Sequence, residues 1–220
     1  MSSHSIKKSV REIFQTLPKD VILVAASKTR SVEEVNEAIH RGVTIIGHNY
    51  VQEAEQMYPF VKDSVKWHLI GHLQRNKAKK ASQIFDMIET IDSYKIALAV
   101  NQYCEEMNKV MPVLIEVNSG RESNKTGILP ENAESLIRKI SLLKHVHIQG
   151  LMTMGPRFGN PEDSRPYFKK TKALFDHLQQ ADIPQADFKY LSMGMSNSYK
   201  IAIEEGANMV RIGTRLFGKR

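Results

Sequence analysis

A chain of 220 residues, 41% hydrophobic and 25% charged, carries enough apolar side chains for one full-sized core and lies far from the composition that leaves chains disordered. No apolar run reaches the roughly 18 residues needed to span a bilayer, and a single cysteine, Cys104, excludes an internal disulfide and a thiolate metal cluster. Thirty-one Lys and Arg against 24 Asp and Glu leave a formal charge of +7, which favours anionic partners without choosing between nucleic acids and small phosphates.

The first fifteen residues set Lys7, Lys8, Arg11 and Glu12 among scattered apolar side chains. They read as an amphipathic helix and not as a secretory leader, which with the lone cysteine points to a cytoplasmic protein. Residues 21–28 form a short β-branched run, and Ser31-Val-Glu-Glu34 follows at once as a capping box that opens a helix through His40. The same unit recurs as 44–49 into 51–60, 66–71 into 77–84, 87–92 into 93–107, 112–118 into 131–142, 147–154 into 161–180, and 188–192 into 197–205. A last strand over 209–214 makes eight. Connections this short force parallel pairing, so the expected architecture is α/β, a single-domain (β/α)8 TIM barrel over residues 1–220 with the N-terminal helix as an extra outer element. An open Rossmann-like sheet is the rival, but no G-x-G-x-x-G follows the first strand. Residues 155–163, rich in Gly and Pro, form the expected mobile loop. The densest basic stretch, 75–80, spreads Lys77, Lys79 and Lys80 around a helix with no aromatic residue between them, the pattern of a solvated face and not of a nucleic-acid site.

In a parallel barrel the carboxyl ends of the strands meet on one face, where binding and catalysis take place. The sequence sets Lys28 at the end of strand one, Asn49 at the end of strand two, His72 after strand three, Asn118 at the end of strand five and Ser192 at the end of strand seven. Arg211, Gly213 and Thr214 close strand eight. Alternation puts Ile22, Val24, Ala26 and Lys28 on one face, so a barrel filled by branched residues has Lys28 at its mouth, where desolvation favours the neutral amine that attacks an aldehyde. A lysine that snorkels to the rim is the plainer alternative. Ser192-Met-Gly-Met-Ser196 and Arg211-Ile-Gly-Thr214 supply hydroxyls and glycines after strands seven and eight, where barrels frequently bind phosphate. Arg211 shares its strand face with Gly213 and lies within reach of a ring stacked over the barrel; the alternative is a structural ion pair, with Glu116 on strand five as the candidate partner. A guanidinium facing a pyridine nitrogen keeps that nitrogen an unprotonated acceptor, which makes such a cofactor a poor electron sink. His145 and His147 have ligand-like spacing but open strand six at the opposite end, and His48, His68 and His72 have no carboxylate-rich cluster at the strand ends, so no metal is expected.

Ala26-Ser-Lys-Thr29, Asn49-Tyr-Val-Gln-Glu53, Trp67-His-Leu-Ile-Gly71, Leu73-Gln-Arg-Asn-Lys77, Gly194-Met-Ser196 and Arg211-Ile-Gly-Thr214 together resemble the pyridoxal phosphate homeostasis proteins. The resemblance implies an alanine racemase N-terminal-type barrel with pyridoxal 5'-phosphate (PLP) held as a Schiff base on Lys28. It implies phosphate contacts at Ser196, Gly213 and Thr214, with Ser192 beside them, and Arg211 facing the pyridine nitrogen. Asn49, from its place at the end of strand two, completes the expected cofactor-binding set. Family members are understood to balance PLP and amino-acid pools without an established reaction, so no catalytic residue is assigned. The expected partners are PLP and the PLP-dependent apo-enzymes that would receive it, with no nucleic acid or membrane, and the chain is expected to be a monomer or weak homodimer. Three positions depart from the family pattern: His48 stands where Glu is expected, Leu69 where Phe or Met is usual, and Ser198 where a spacer and Asp normally follow. Two other functions compete. A racemase-like PLP enzyme would need a second base, which in similar barrels comes from another domain; a Schiff-base aldolase would use the strand-end lysine without PLP and be colourless.

Overall fold

Short runs of β-branched and other apolar residues, each too short to bury both faces alone, pair in sequence order and close on themselves. The computed structural model describes residues 5–61, 65–156 and 159–219. Its strands are β1 (Ile22–Ala26), β2 (Ile45–His48), β3 (Lys66–Leu69), β4 (Met87–Ile91), β5 (Met111–Val117), β6 (Val146–Thr153), β7 (Ala186–Ser192) and β8 (Met209–Ile212). All pairings are parallel, and β8 returns to β1 with Val24 opposite Arg211 and Ala25 opposite Ile212. This is the expected (β/α)8 barrel.

Strand alternation divides the core in two. Outward-facing residues, with one face of each helix, form a large apolar shell, while Val24, Ile45, Ile70, Met87, Leu114, Met152 and Met209 fill the barrel itself, with Ile22 and Ala26 packed against them. The shell helices are α1 (Ile6–Thr16), α2 (Val32–His40), α3 (Val51–Met57), α4 (Ala78–Ile84), α5 (Tyr94–Glu106), α6 (Pro130–Ile140), α7 (Arg165–Gln180), α8 (Tyr199–Glu204) and the single turn α9 (Thr214–Phe217). The extra helix α1 buries Val10 and Ile13 and lies against α2 and α9. Helix α2 starts from the expected capping box, the Ser31 hydroxyl accepting from the Glu34 amide and the Glu34 carboxylate from the Ser31 amide. Among the described residues no helix is long and apolar enough to cross a membrane.

Several ends differ from expectation for local reasons. Strand β1 stops at Ala26 and not Lys28: the Ser27 amide still bonds the Gly47 carbonyl at 2.9 Å, but Thr29 takes a left-handed φ of 58° as the chain turns toward the α2 cap. Strand β8 stops at Ile212, because Gly213, with ψ of −76°, leaves the extended region and starts α9 at Thr214. Helix α3 gives way at Tyr58–Phe60 to a 3-10 turn, since Pro59 has no N–H for a helical bond. The segment expected as one helix over 161–180 begins as a 3-10 turn, Pro161–Ser164, before α7. Within the loop expected to be mobile, residues 157–158 lie outside the described residues. The basic stretch is a solvated face, as expected: Lys80 pairs with Glu55 at 2.9 Å and Lys79 lies 5.9 Å over the Tyr103 ring.

Candidate functional site

The inward phase of β1 runs through Ile22, Val24 and Ala26, so Lys28, next in phase, stands at the mouth, half-buried. Its Nζ donates to the Tyr50 hydroxyl at 3.3 Å and lies 4.7 Å from the centre of that ring. Asn49 is half-buried one residue beyond β2.

Below the mouth a buried polar chain crosses the barrel. Glu89 of β4 accepts from the His68 ring Nδ1 of β3 at 2.8 Å and from the Ser192 hydroxyl of β7 at 2.7 Å. Arg211 of β8 donates to that same Ser192 oxygen and to the Thr153 carbonyl of β6 at 2.8 Å, with Glu89 at 3.9 Å. Burial pushes the Glu89 carboxyl up, but the His68 hydrogen bond, the charges of His68 and Arg211 and the Ser192 hydroxyl outweigh it and hold the carboxyl below its usual range. Burial likewise pulls Arg211 below the usual guanidinium range, opposed by Glu89 and Glu116. The ion-pair partner of Arg211 is therefore Glu89 and not Glu116. Glu116 accepts from the Thr126 hydroxyl at 2.8 Å, and burial raises its carboxyl above the usual range.

The loop after β7 makes a second, shallower cluster. Gly194 has φ of 86°, and a β-carbon there would lie 2.6 Å from the Ala202 methyl, so the turn requires glycine. It carries Ser196 to where its hydroxyl oxygen accepts from the backbone amides of Gly213 and Arg215, both at 3.2 Å. A β-carbon on Gly213 would lie 3.0 Å from the Ala26 carbonyl, which sets this amide pair directly against the end of β1, two residues below Lys28. Thr214 is exposed as the first residue of α9.

The structure brings Lys28, Ser196, Gly213 and Thr214 to one rim, with Arg211 beneath. Ser192 is not at the hydroxyl cluster: wholly buried, its oxygen is engaged by Glu89 and Arg211, because the last residue of β7 points into the barrel. Glu89 and Thr153 are left out of the sequence reading, and His68 is weighed there only as a metal ligand. A Glu in phase with Met87 inside an otherwise apolar strand was the available signal. Carboxylates do accompany the histidines, His68 with Glu89 and His72 with Asp92 at 3.5 Å, although among the described residues no group of three or more His, Cys, Asp or Glu could hold a metal. The His145 ring Nδ1 donates to the Lys109 carbonyl at 3.0 Å, at the far end of the barrel.

The departures from the family pattern are absorbed locally. His48 is buried outside the barrel, its Nε2 at 3.0 Å from the Ser27 hydroxyl and its ring stacked on Trp67, and burial pulls the imidazole down to about 4. Leu69 is core. Ser198 closes the loop after β7 by accepting from the Met195 amide at 3.3 Å.

A closed parallel barrel with a rim lysine, a buried strand-eight arginine and backbone amides at the β8–α9 junction defines a protein of the alanine racemase N-terminal domain type, and that domain family matches residues 1–220. A pyridoxal phosphate homeostasis protein from Aquifex aeolicus is 43% identical over 199 residues, 90% of this chain and 86% of the relative. This chain belongs to the pyridoxal phosphate homeostasis protein family. The solved structure of PipY from Synechococcus elongatus without PLP is similar at a TM-score of 0.92 and 32% identity, covering 97% of this chain and 100% of that one; the PLP-bound form gives 0.89 and 31%, over 97% and 100%. Alanine racemase from Clostridium difficile is similar in fold, with a TM-score of 0.84 at 16% identity over 98% of this chain and 56% of that one.

Proposed function

We propose that this chain binds PLP as a Schiff base on Lys28 and serves as a reservoir and carrier of the cofactor. The observation that carries the reading is the Ser196 hydroxyl oxygen seated on the Gly213 and Arg215 amides beside the end of β1. Two convergent N–H groups already hold one oxygen there, and a phosphate oxygen has the same requirement. Thr214, exposed at the start of the same turn, would add a donor. Arg211 would present its guanidinium under the ring, and Asn49 would line the rim. Ser192 would act one step back, by fixing Arg211. The PLP-bound relative and the family's name support the choice of cofactor.

PLP supplies an aldehyde for the lysine and, where its ring nitrogen is protonated, an electron sink for amino-acid chemistry. Arg211 is held in place by Ser192, Thr153 and Glu89 and has no proton to give up, which supports carriage over catalysis. The likeness to alanine racemase is one of fold and does not by itself favour racemisation. In this reading residues 1–220 act as one cytoplasmic PLP-binding unit that hands the cofactor to PLP-dependent apo-enzymes.

The test is borohydride reduction of the PLP-loaded chain followed by peptide mapping. Trapping at Lys28, lost in Lys28→Ala, is the expected result, and full trapping elsewhere with Lys28 unmodified overturns the assignment. Loaded protein incubated with alanine or serine in heavy water should exchange the α-proton no faster than free PLP does; rapid exchange would replace the carrier with an enzyme.

A further inference from the structure

Beside the Lys28 amine stands a phenol that the preceding reading leaves unused. Tyr50 is the residue between Asn49 and α3, so β2 and the helix fix its backbone. Its hydroxyl gives no cap to the helix it precedes, and the side chain is 50% exposed. A tyrosine in that position buries little and supports no turn, yet its oxygen is 3.3 Å from Lys28 Nζ and its ring centre 4.7 Å from the same atom. Glu53, one turn along α3, accepts from the Thr29 amide at 3.3 Å and so ties the Lys28 loop to the helix that follows Tyr50.

We propose that Tyr50 is a further catalytic residue at this site, passing a proton to the oxygen that leaves as water when an aldehyde condenses with Lys28, and taking it back in hydrolysis. The proposal rests on Lys28 being the aldehyde-reactive amine. The nitrogen lone pair attacks the carbonyl carbon, the C=O pair moves to oxygen, and one N–H proton passes to that oxygen. The C–O bond then breaks as nitrogen forms the C=N bond; the departing hydroxyl takes the phenol proton and leaves as water. The phenolate recovers the proton still on nitrogen. Amine plus aldehyde becomes imine plus water, with nothing oxidised or reduced and no further reactant. An oxygen two bonds from Nζ can swing within hydrogen-bond reach of a hydroxyl 3.3 Å from Nζ, which is the geometry a general acid needs. A phenol can donate and accept in turn, so the same group serves loading and release. Tyr50 would thus set how fast the site fills and empties without changing how tightly it holds.

The test uses the full chain stripped of bound aldehyde and salicylaldehyde as a probe that has no phosphate. Stopped-flow absorbance gives the rates of imine formation and hydrolysis, and borohydride reduction with peptide mapping assigns them to Lys28. Acetylation of Lys28 by acetic anhydride, which draws no proton from the phenol, runs in parallel as a measure of access. Tyr50→Phe should slow formation and hydrolysis by the same factor, about tenfold or more, leave their ratio unchanged, and alter acetylation less than about twofold. Formation in Tyr50→Phe at the parent's rate overturns the proposal. So does Tyr50→Ala speeding condensation and acetylation together, which would make the ring only a cover. If the parent chain is trapped at a different lysine, the reading of Lys28 falls, and this one with it; that result is separate from an unchanged rate in Tyr50→Phe at a trapped Lys28.

Discussion

His48 carries an acid-sensitivity that its burial makes calculable. Its imidazole is held near 4 in the folded chain by burial and takes a proton near 6.5 when unfolded. The folded value is depressed, so the stability from keeping this ring neutral is fully present above 6.5 and drains away as pH falls from 6.5 through 4. The loss amounts to about 3 kcal/mol. His48→Gln, which can still meet Ser27, should flatten that part of the stability curve; urea unfolding at pH 7 and pH 4.5 in both chains measures it, and an equal fall in the two would place the acid-sensitive group elsewhere. Glu89 poses the opposite case, a buried charge with all its partners. Glu89→Ala leaves Arg211 buried against uncharged Ser192 and Thr153, and removing one member of such a pair costs about 3–5 kcal/mol. Glu89→Gln, which keeps the shape and one acceptor oxygen, should cost less. A Glu89→Ala chain as stable as its parent in urea would mean that Arg211 finds another partner.

Among the elements, the junction before α7 shows why some boundaries could not be read in advance. Pro161 and Pro166 both suit a helix start, and nothing in the local pattern says that two starts are stacked. What separates them is tertiary: Arg165 binds Glu162 of the 3-10 turn at 2.7 Å, Glu204 at the end of α8 at 2.8 Å and Glu205 just beyond it at 2.6 Å. Arg165→Ala should therefore raise amide exchange across residues 160–164 and leave the core amides of α7 unchanged; unchanged exchange in the turn would show that its cap holds it alone, the Asn160 side chain accepting from the Glu162 amide and the Asp163 carboxylate from the Asn160 amide. The strand ends follow the same logic. Alternation correctly set Ile22, Val24 and Ala26 inside and Lys28 at the rim, because a period of two survives any error in where a strand stops. It could not show that Ser192 faces Glu89, since the partner lies on a strand about a hundred residues away and only closure of the barrel brings them together.

At the scale of the whole molecule the eightfold unit was legible because each strand is short, apolar and followed at once by a helix signal, and parallel pairing then leaves few topologies. The polar chain inside it was not, because buried ion pairs leave only isolated charged letters in apolar runs. A ligand that touches β1, β7 and β8 together binds only the closed barrel, so PLP should raise the midpoint of the entire unfolding transition. At a hundred times its dissociation constant the gain is about 2.7 kcal/mol, or roughly 2–4 °C for each kcal/mol. Pyridoxal at the same concentration should give a smaller rise in calorimetry, and equal shifts would put the phosphate away from Ser196 and Thr214.

The pairing of β8 with β1 also has a consequence in time. A ribosome makes Lys28 early and Arg211 nearly 200 residues later. The Arg30 guanidinium, which bonds the Phe217 and Gly218 carbonyls, waits for the same late segment. An emerging chain thus exposes its amine long before the guanidinium and the amide pair exist to hold anything beside it. If the rim captures a small molecule as proposed, that capture would in effect signal that synthesis has reached the eighth strand, and a nascent chain halted before it would carry the lysine without the grip.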